Sequence, residues 1–108
     1  MVDKEFEMNV LIYGLQSKLK ELVDNLQNIH GISIHFAFNV QEFKVVTTNV
    51  HPNIIFVNRN AESSLKNDFV ENRNGSIYIV DESSSKLNIT KFQTRKKISL
   101  KKIFKEIN

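Results

Sequence analysis

The chain has no cysteine, which removes disulfides, thiolate metal sites and a cysteine nucleophile together, and leaves nothing that requires an oxidising compartment. A cytoplasmic location is expected. Its single proline and three glycines are too few for a collagen-like or disordered chain. The glycines, Gly14, Gly31 and Gly75, also stand too far apart to form a GxGxxG, GxxxxGK[ST] or GxSxG loop, so no phosphate cradle or nucleophile elbow is expected. No apolar run approaches the roughly 20 residues that span a bilayer, and the acidic leader at 1–7 carries no apolar stretch. Neither membrane insertion nor export is expected.

What remains is a globular composition, 41% hydrophobic and 25% charged over 108 residues, enough for one domain spanning 1–108 and too short for two. The charge is divided unevenly. Residues 1–83 hold seven Lys/Arg against eleven Asp/Glu, a balance of −4, while 84–108 hold eight against one, a balance of +7. Lys91, Arg95, Lys96, Lys97, Lys101, Lys102 and Lys105 crowd the basic quarter. Such a cluster fits a solvated helix face, an acidic protein partner or a nucleic-acid backbone.

The hydrophobic pattern alternates between two periods. Val10–Tyr13, closed by Gly14, reads as a strand buried on both faces. Leu15, Leu19, Leu22, Val23, Leu26 and Ile29 recur at helical spacing and stop at His30-Gly31. Ile32, Ile34, Phe36 and Phe38 follow a period of two, which predicts a strand with all four on one apolar face. Asn39 is an N-cap candidate for a short helix carrying Val40, Phe43, Val46 and Val50. Beyond Pro52, Asn53–Val57 is a third strand, Ala61–Asn72 a helix on Leu65, Phe69 and Val70, and Ser76–Val80 a fourth strand ending at Asp81. A fifth strand is expected over Ile89–Thr94. Ser99 caps a last helix whose inner stripe is Leu100, Ile103, Phe104 and Ile107. Strands alternating with helices imply an α/β fold with a parallel sheet between helical layers. The link from Asp81 to Ile89 is too short for a full crossover helix, so either an irregular crossover keeps the last strand parallel, the arrangement favoured here, or it returns antiparallel as a hairpin.

This alternation, with Pro52-Asn53-Ile54-Ile55-Phe56-Val57-Asn58 at the third strand, resembles the receiver domain of bacterial response regulators over roughly residues 8–108. The resemblance implies a flavodoxin-like sheet of about five strands with helices on both faces, the fourth helix shortened or missing, and a role in two-component signal transduction. By it, Asn58 stands where the family has its phosphoacceptor aspartate. Gly14 and Leu15 stand where it has an acidic pair for Mg²⁺, and Asp81 where it has Thr or Ser. Phe92 takes the place of the switch aromatic, and Arg95 or Lys96 that of the lysine. The sequence is therefore read as a degenerate member, a pseudo-receiver.

Elementary chemistry agrees with that degeneracy. Mg²⁺ takes hard oxygen ligands, normally with one or two carboxylates, and Gly14 and Leu15 supply none. An asparagine amide cannot become an acyl phosphate without first being hydrolysed. Asp81 is read as a strand-end residue satisfying loop amides, and Asp81 with Glu82 is the one acid-base pair an enzymatic reading would have. His30, His35 and His51 lack metal-ligand spacing, and Ser83–Ser85 lack a local base. No catalytic residue, metal or cofactor is expected.

The function expected is thus a phosphorylation-independent regulatory domain that binds a protein partner with an acidic surface. The contact residues would be Phe92, Arg95, Lys96, Lys97, Lys101 and Lys102. The alternative is a small basic nucleic-acid-binding regulator, which Phe92 and Phe104 provide with few bases' worth of stacking surface. An exposed last strand would also serve a homodimer.

Overall fold

The computed structural model describes residues 8–14, 17–65, 76–81, 87–92 and 94–107. Strand β1 (Met8–Tyr13) leads through helix α1 (Ser17–Gln27) to β2 (Ile32–Ala37), and helix α2 (Val40–Val50) leads to β3 (Ile54–Asn58). A 3-10 helix (Arg59–Leu65) follows, then β4 (Ser76–Asp81), β5 (Asn88–Lys91) and helix α3 (Leu100–Ile107). The strands form one sheet in the order β2-β1-β3-β4-β5, with the first four parallel and β5 antiparallel to β4.

The apolar runs of β1 and β3 follow from their place inside the sheet, where both faces are covered. On one face Val10, Ile12, Ile54, Phe56, Tyr78 and Val80 pack with Leu22, Val23 and Leu26 of α1 and Ile103 of α3. On the other, Leu11, Tyr13, Ile55, Val57 and Ile79 pack with Phe43 of α2 and Leu65 of the 3-10 helix. Tyr13 meets Phe43 edge to face at 5.7 Å between ring centroids.

Local signals fix the ends of the elements. Asn39 accepts from the Glu42 N–H at 2.9 Å, and the Glu42 carboxylate accepts from the Phe38 N–H at 2.8 Å, a reciprocal cap at the start of α2. His51 ends that helix in the left-handed region at φ 55°. Asn53 then clamps the start of β3 to β1: its N–H donates to Asn9 O at 2.8 Å, and its Oδ1 accepts from Asn9 N–H at 2.8 Å. At α3, Ser99 Oγ accepts from the Lys102 N–H at 3.1 Å, the expected cap.

The structure corrects four expectations. The last strand is antiparallel, because the link at 82–87 is too short for a parallel crossover and long enough for a hairpin. That strand stops at Lys91: the Arg95 N–H donates to Lys91 O at 2.8 Å, Arg95 takes φ 60°, and the chain folds back so that Lys97 bridges to Thr90. Residues 59–65 form a 3-10 turn where an α-helix was expected from Ala61, and 66–75 lie outside the described residues. Finally, the four apolar residues expected on one face of the second strand are divided: Ile32 and Ile34 pack against the core, Phe36 does not, and Phe38 lies beyond the end of β2 at Ala37. Phe36 and Phe38 are 37% and 62% exposed, because β2 has a neighbour on one side only and its carboxyl end has little to pack against.

Candidate functional site

In a sheet of this order, the chain winds away in opposite directions from β1 and β3, and ligands typically bind in the crevice at the carboxyl ends of those two strands. Here Gly14 and Asn58 meet at that point. Gly14 has φ 77°, and a Cβ on it would lie 3.2 Å from the Asn58 Cβ and 3.3 Å from the Ala61 Cβ, so only glycine fits without strain. Asn58 is 1% exposed. Its Nδ2 donates to Gly14 O at 3.2 Å, and its Oδ1 accepts from the Asn60 N–H at 2.8 Å, an Asx turn that starts the 3-10 helix. The amide is needed for both bonds, since a carboxylate has no proton to give the Gly14 carbonyl.

The next strand end is occupied as well. Asp81 is half-buried, and its Oδ2 accepts from Arg59 Nη1 at 2.9 Å. The β3/β4 register pairs Asn58 with Val80 and so brings Arg59 and Asp81 side by side. Leu15 and Glu82 lie outside the described residues, as do Ser83–Ser85. Among the described residues the carboxyl edge thus presents a glycine, a buried amide and an ion pair.

Phe92 and Arg95 do not join this group. Because β5 is antiparallel, it carries the chain to the opposite edge of the sheet, where the Phe92 N–H donates to O of Ile77, near the amino end of β4, at 3.0 Å. Phe92 is half-buried against the α2-side core, and the Arg95 guanidinium lies over its ring at 4.9 Å from the centroid. Arg95 Nη2 also donates to Glu62 Oε2 at 2.7 Å, tying the turn to the 3-10 helix. Phe92, which the receiver resemblance puts in the place of the switch aromatic, therefore lies toward the amino end of β4, whereas Asn58 pairs with Val80 toward its carboxyl end. The Arg59–Asp81 pair was foreseeable from strand register; the Arg95–Glu62 pair joins residues 33 apart and has no local signal.

The remaining cations form a surface of their own. Lys96 and Lys97 lie on the segment that folds back along β5, and Lys101, Lys102 and Lys105 lie on α3, whose inner side holds Ile103 with Leu100 and Phe104 packed against the core. All five lysines are exposed. Among the described residues no carboxylate stands within salt-bridge distance of any of them, whereas Arg59 and Arg95 are paired. Residues 94–107 carry six cations against one acid, Glu106, so most of this charge is not neutralised within its own segment.

The histidines have local surroundings. His35 Nε2 lies 3.2 Å from Asn9 Oδ1, His51 caps α2, and His30 precedes the turn at Gly31. Among the described residues no three His, Asp or Glu side chains gather closely enough to hold a metal ion, and no helix is long and apolar enough to cross a membrane. Comparison with protein-family models, with curated proteins and with solved structures finds no match to the chain.

Proposed function

We propose that the chain is a non-catalytic, phosphorylation-independent receiver-like module that binds an acidic protein partner through Lys96, Lys97, Lys101, Lys102 and Lys105. The strand order, with α1 and α3 on one face and α2 and the 3-10 helix on the other, is compatible with flavodoxin-like winding whose fifth strand is reversed. The observation that carries the non-catalytic part is Asn58: buried at the crevice, it spends both ends of its amide on neighbouring backbone. An acceptor for phosphate would need an exposed carboxylate there, and a Mg²⁺ site would need oxygens not already taken by Arg59.

Five exposed lysines with no carboxylate within salt-bridge distance among the described residues support the binding part. Arg95 is held by Glu62 and Phe92 faces the core, so the lysines rather than these two carry the contact. A nucleic acid would exploit the same charge, but Phe92 and Phe104 both pack against the core and leave no stacking platform beside it. The test is a titration with polyglutamate and with a DNA duplex at two ionic strengths, comparing the native chain with a Lys97→Glu, Lys101→Glu, Lys102→Glu variant. Salt-sensitive polyglutamate binding that disappears in the variant is expected. Tighter binding of the duplex would favour the nucleic-acid reading, and no binding of either at low salt would remove the proposal.

A further inference from the structure

We propose that two copies of the chain pair their β2 strands antiparallel across the open edge of the sheet, centred on Ile34, to form a two-fold homodimer with a continuous ten-stranded sheet. This goes beyond the partner-binding reading and uses the opposite edge of the molecule. The main chain sets it up. The Met8 N–H donates to Gly31 O at 2.9 Å and the Gly14 N–H to Ala37 O at 3.0 Å, bracketing a parallel ladder from Met8↔Ile32 to Tyr13↔Ala37. In such a ladder alternate residues bond to the neighbouring strand, so Ser33, His35 and Ala37 turn their N–H and C=O groups to β1. Ile32, Ile34 and Phe36 turn theirs outward, and among the described residues β2 has no strand on that side.

Strand edges are normally blunted by charge, proline, bulges or shortness. Ile32-Ser33-Ile34-His35-Phe36-Ala37 has no Lys, Arg, Asp, Glu or Pro and six regular register pairs. A two-fold axis at Ile34 sets that residue against its own copy and Ile32 against the partner's Phe36, giving six main-chain hydrogen bonds between apolar neighbours. On the other face Ser33 meets the partner's His35.

Charge complementarity selects a second copy as the occupant. No charged side chain enters the paired segment, and symmetry runs α1 antiparallel to its copy. Exposed Lys20 and exposed Asp24 lie one turn apart on α1, so an antiparallel copy of that helix presents the two charges in reversed order. Lys96 and Lys97 lie along β5, four strand intervals away from β2 and roughly 19 Å at the usual spacing of about 4.8 Å. That exceeds the screening length of about 8 Å at physiological salt, so their repulsion does not oppose the contact.

The experiment measures mass by light scattering and amide hydrogen exchange by NMR between about 1 μM and 1 mM, where weak dimers dissociate. The mass should rise toward twice that of the chain. The Ile32, Ile34 and Phe36 amides should slow together, by about tenfold when nine-tenths of the chains are dimeric, while Ser33, His35 and Ala37 stay protected throughout. An Ile34→Pro variant, which removes an outward N–H and no bond to β1, should remain monomeric with an unchanged circular dichroism spectrum. A monomer at every concentration overturns the proposal, and so does a dimer in which the three outward amides stay fast. If Ile34→Pro does not fold, the exchange pattern of the native chain decides alone.

Discussion

At one edge of the sheet, β5 is followed by a turn and a returning segment that bonds along it: the Ile98 N–H donates to Ile89 O, and the Lys91 N–H to Lys96 O, both at 2.9 Å. Lysines crowd the outside of that segment. At the other edge, β2 offers three uncharged outward residues with no strand beside them among the described residues. Both edges face the same physical problem, a row of unpaired backbone groups, and the chain answers it twice in different ways. The basic quarter therefore does more than carry charge, since its returning segment covers the outer side of β5. In the proposed reading self-pairing is left to β2, and the exposed lysines would meet the acidic partner.

The largest test of this contrast is thermodynamic. Ile89, buried on β5 and packed in the α1/α3-side core, should lose about 2–4 kcal/mol of stability as Ile89→Ala, measured by urea unfolding of dilute protein. Phe38→Ala beside the open edge should change it by no more than about 0.5 kcal/mol. Equal losses would mean that the two edges are not differently packed.

Next in size is the residue between the edges. Asn58→Ala should cost about 1–3 kcal/mol, because the Gly14 carbonyl and the Asn60 N–H lose their partner in a buried place. Asn58→Asp should cost at least as much in the same unfolding assay, since it sets a carboxylate against a carbonyl oxygen. A neutral Asn58→Asp would show that the amide is not what fills the crevice.

Smaller still are the ion pairs. Arg59→Ala and Arg95→Ala should each lose at most about 1 kcal/mol, both guanidinium groups being largely exposed. The smallest effect belongs to the lysines: Lys101→Glu should raise the melting temperature slightly at low salt by relieving repulsion with Lys105 one turn on, and the gain should fade as salt is added. A gain that survives high salt would point to packing instead of charge.

Much of this was legible in the sequence for reasons that are local. Val10–Tyr13 and Ile54–Val57 are apolar on both faces because they become interior strands, and Asn39 and Ser99 cap the helices they precede. The direction of β5 was half legible: the short link argued for a hairpin, and the regular alternation before it argued the other way. Phe36 and Phe38 obey the period of a half-buried strand, but a period does not say which strand stands at an edge. For the candidate site, the missing carboxylates could be read directly at Gly14 and Asn58. That Asn58 is buried and bonded to backbone from two elements could not, because the Gly14 contact spans 44 residues. Phe92 and Arg95 were placed by analogy with a parallel strand, and the reversal of β5 moved them to the far edge.

Among the described residues, the protein's own groups occupy the carboxyl ends of the strands: the Asn58 amide bonds the Gly14 carbonyl, and Arg59 bonds Asp81. The decisive experiment adds Mg²⁺ and acetyl phosphate to the ¹⁵N-labelled chain while following intact mass and the amide signals of Gly14, Asn58 and Asp81. An unchanged mass with no saturable shift at these three residues is predicted; one added phosphate, or saturable Mg²⁺-dependent shifts confined to them, would contradict it.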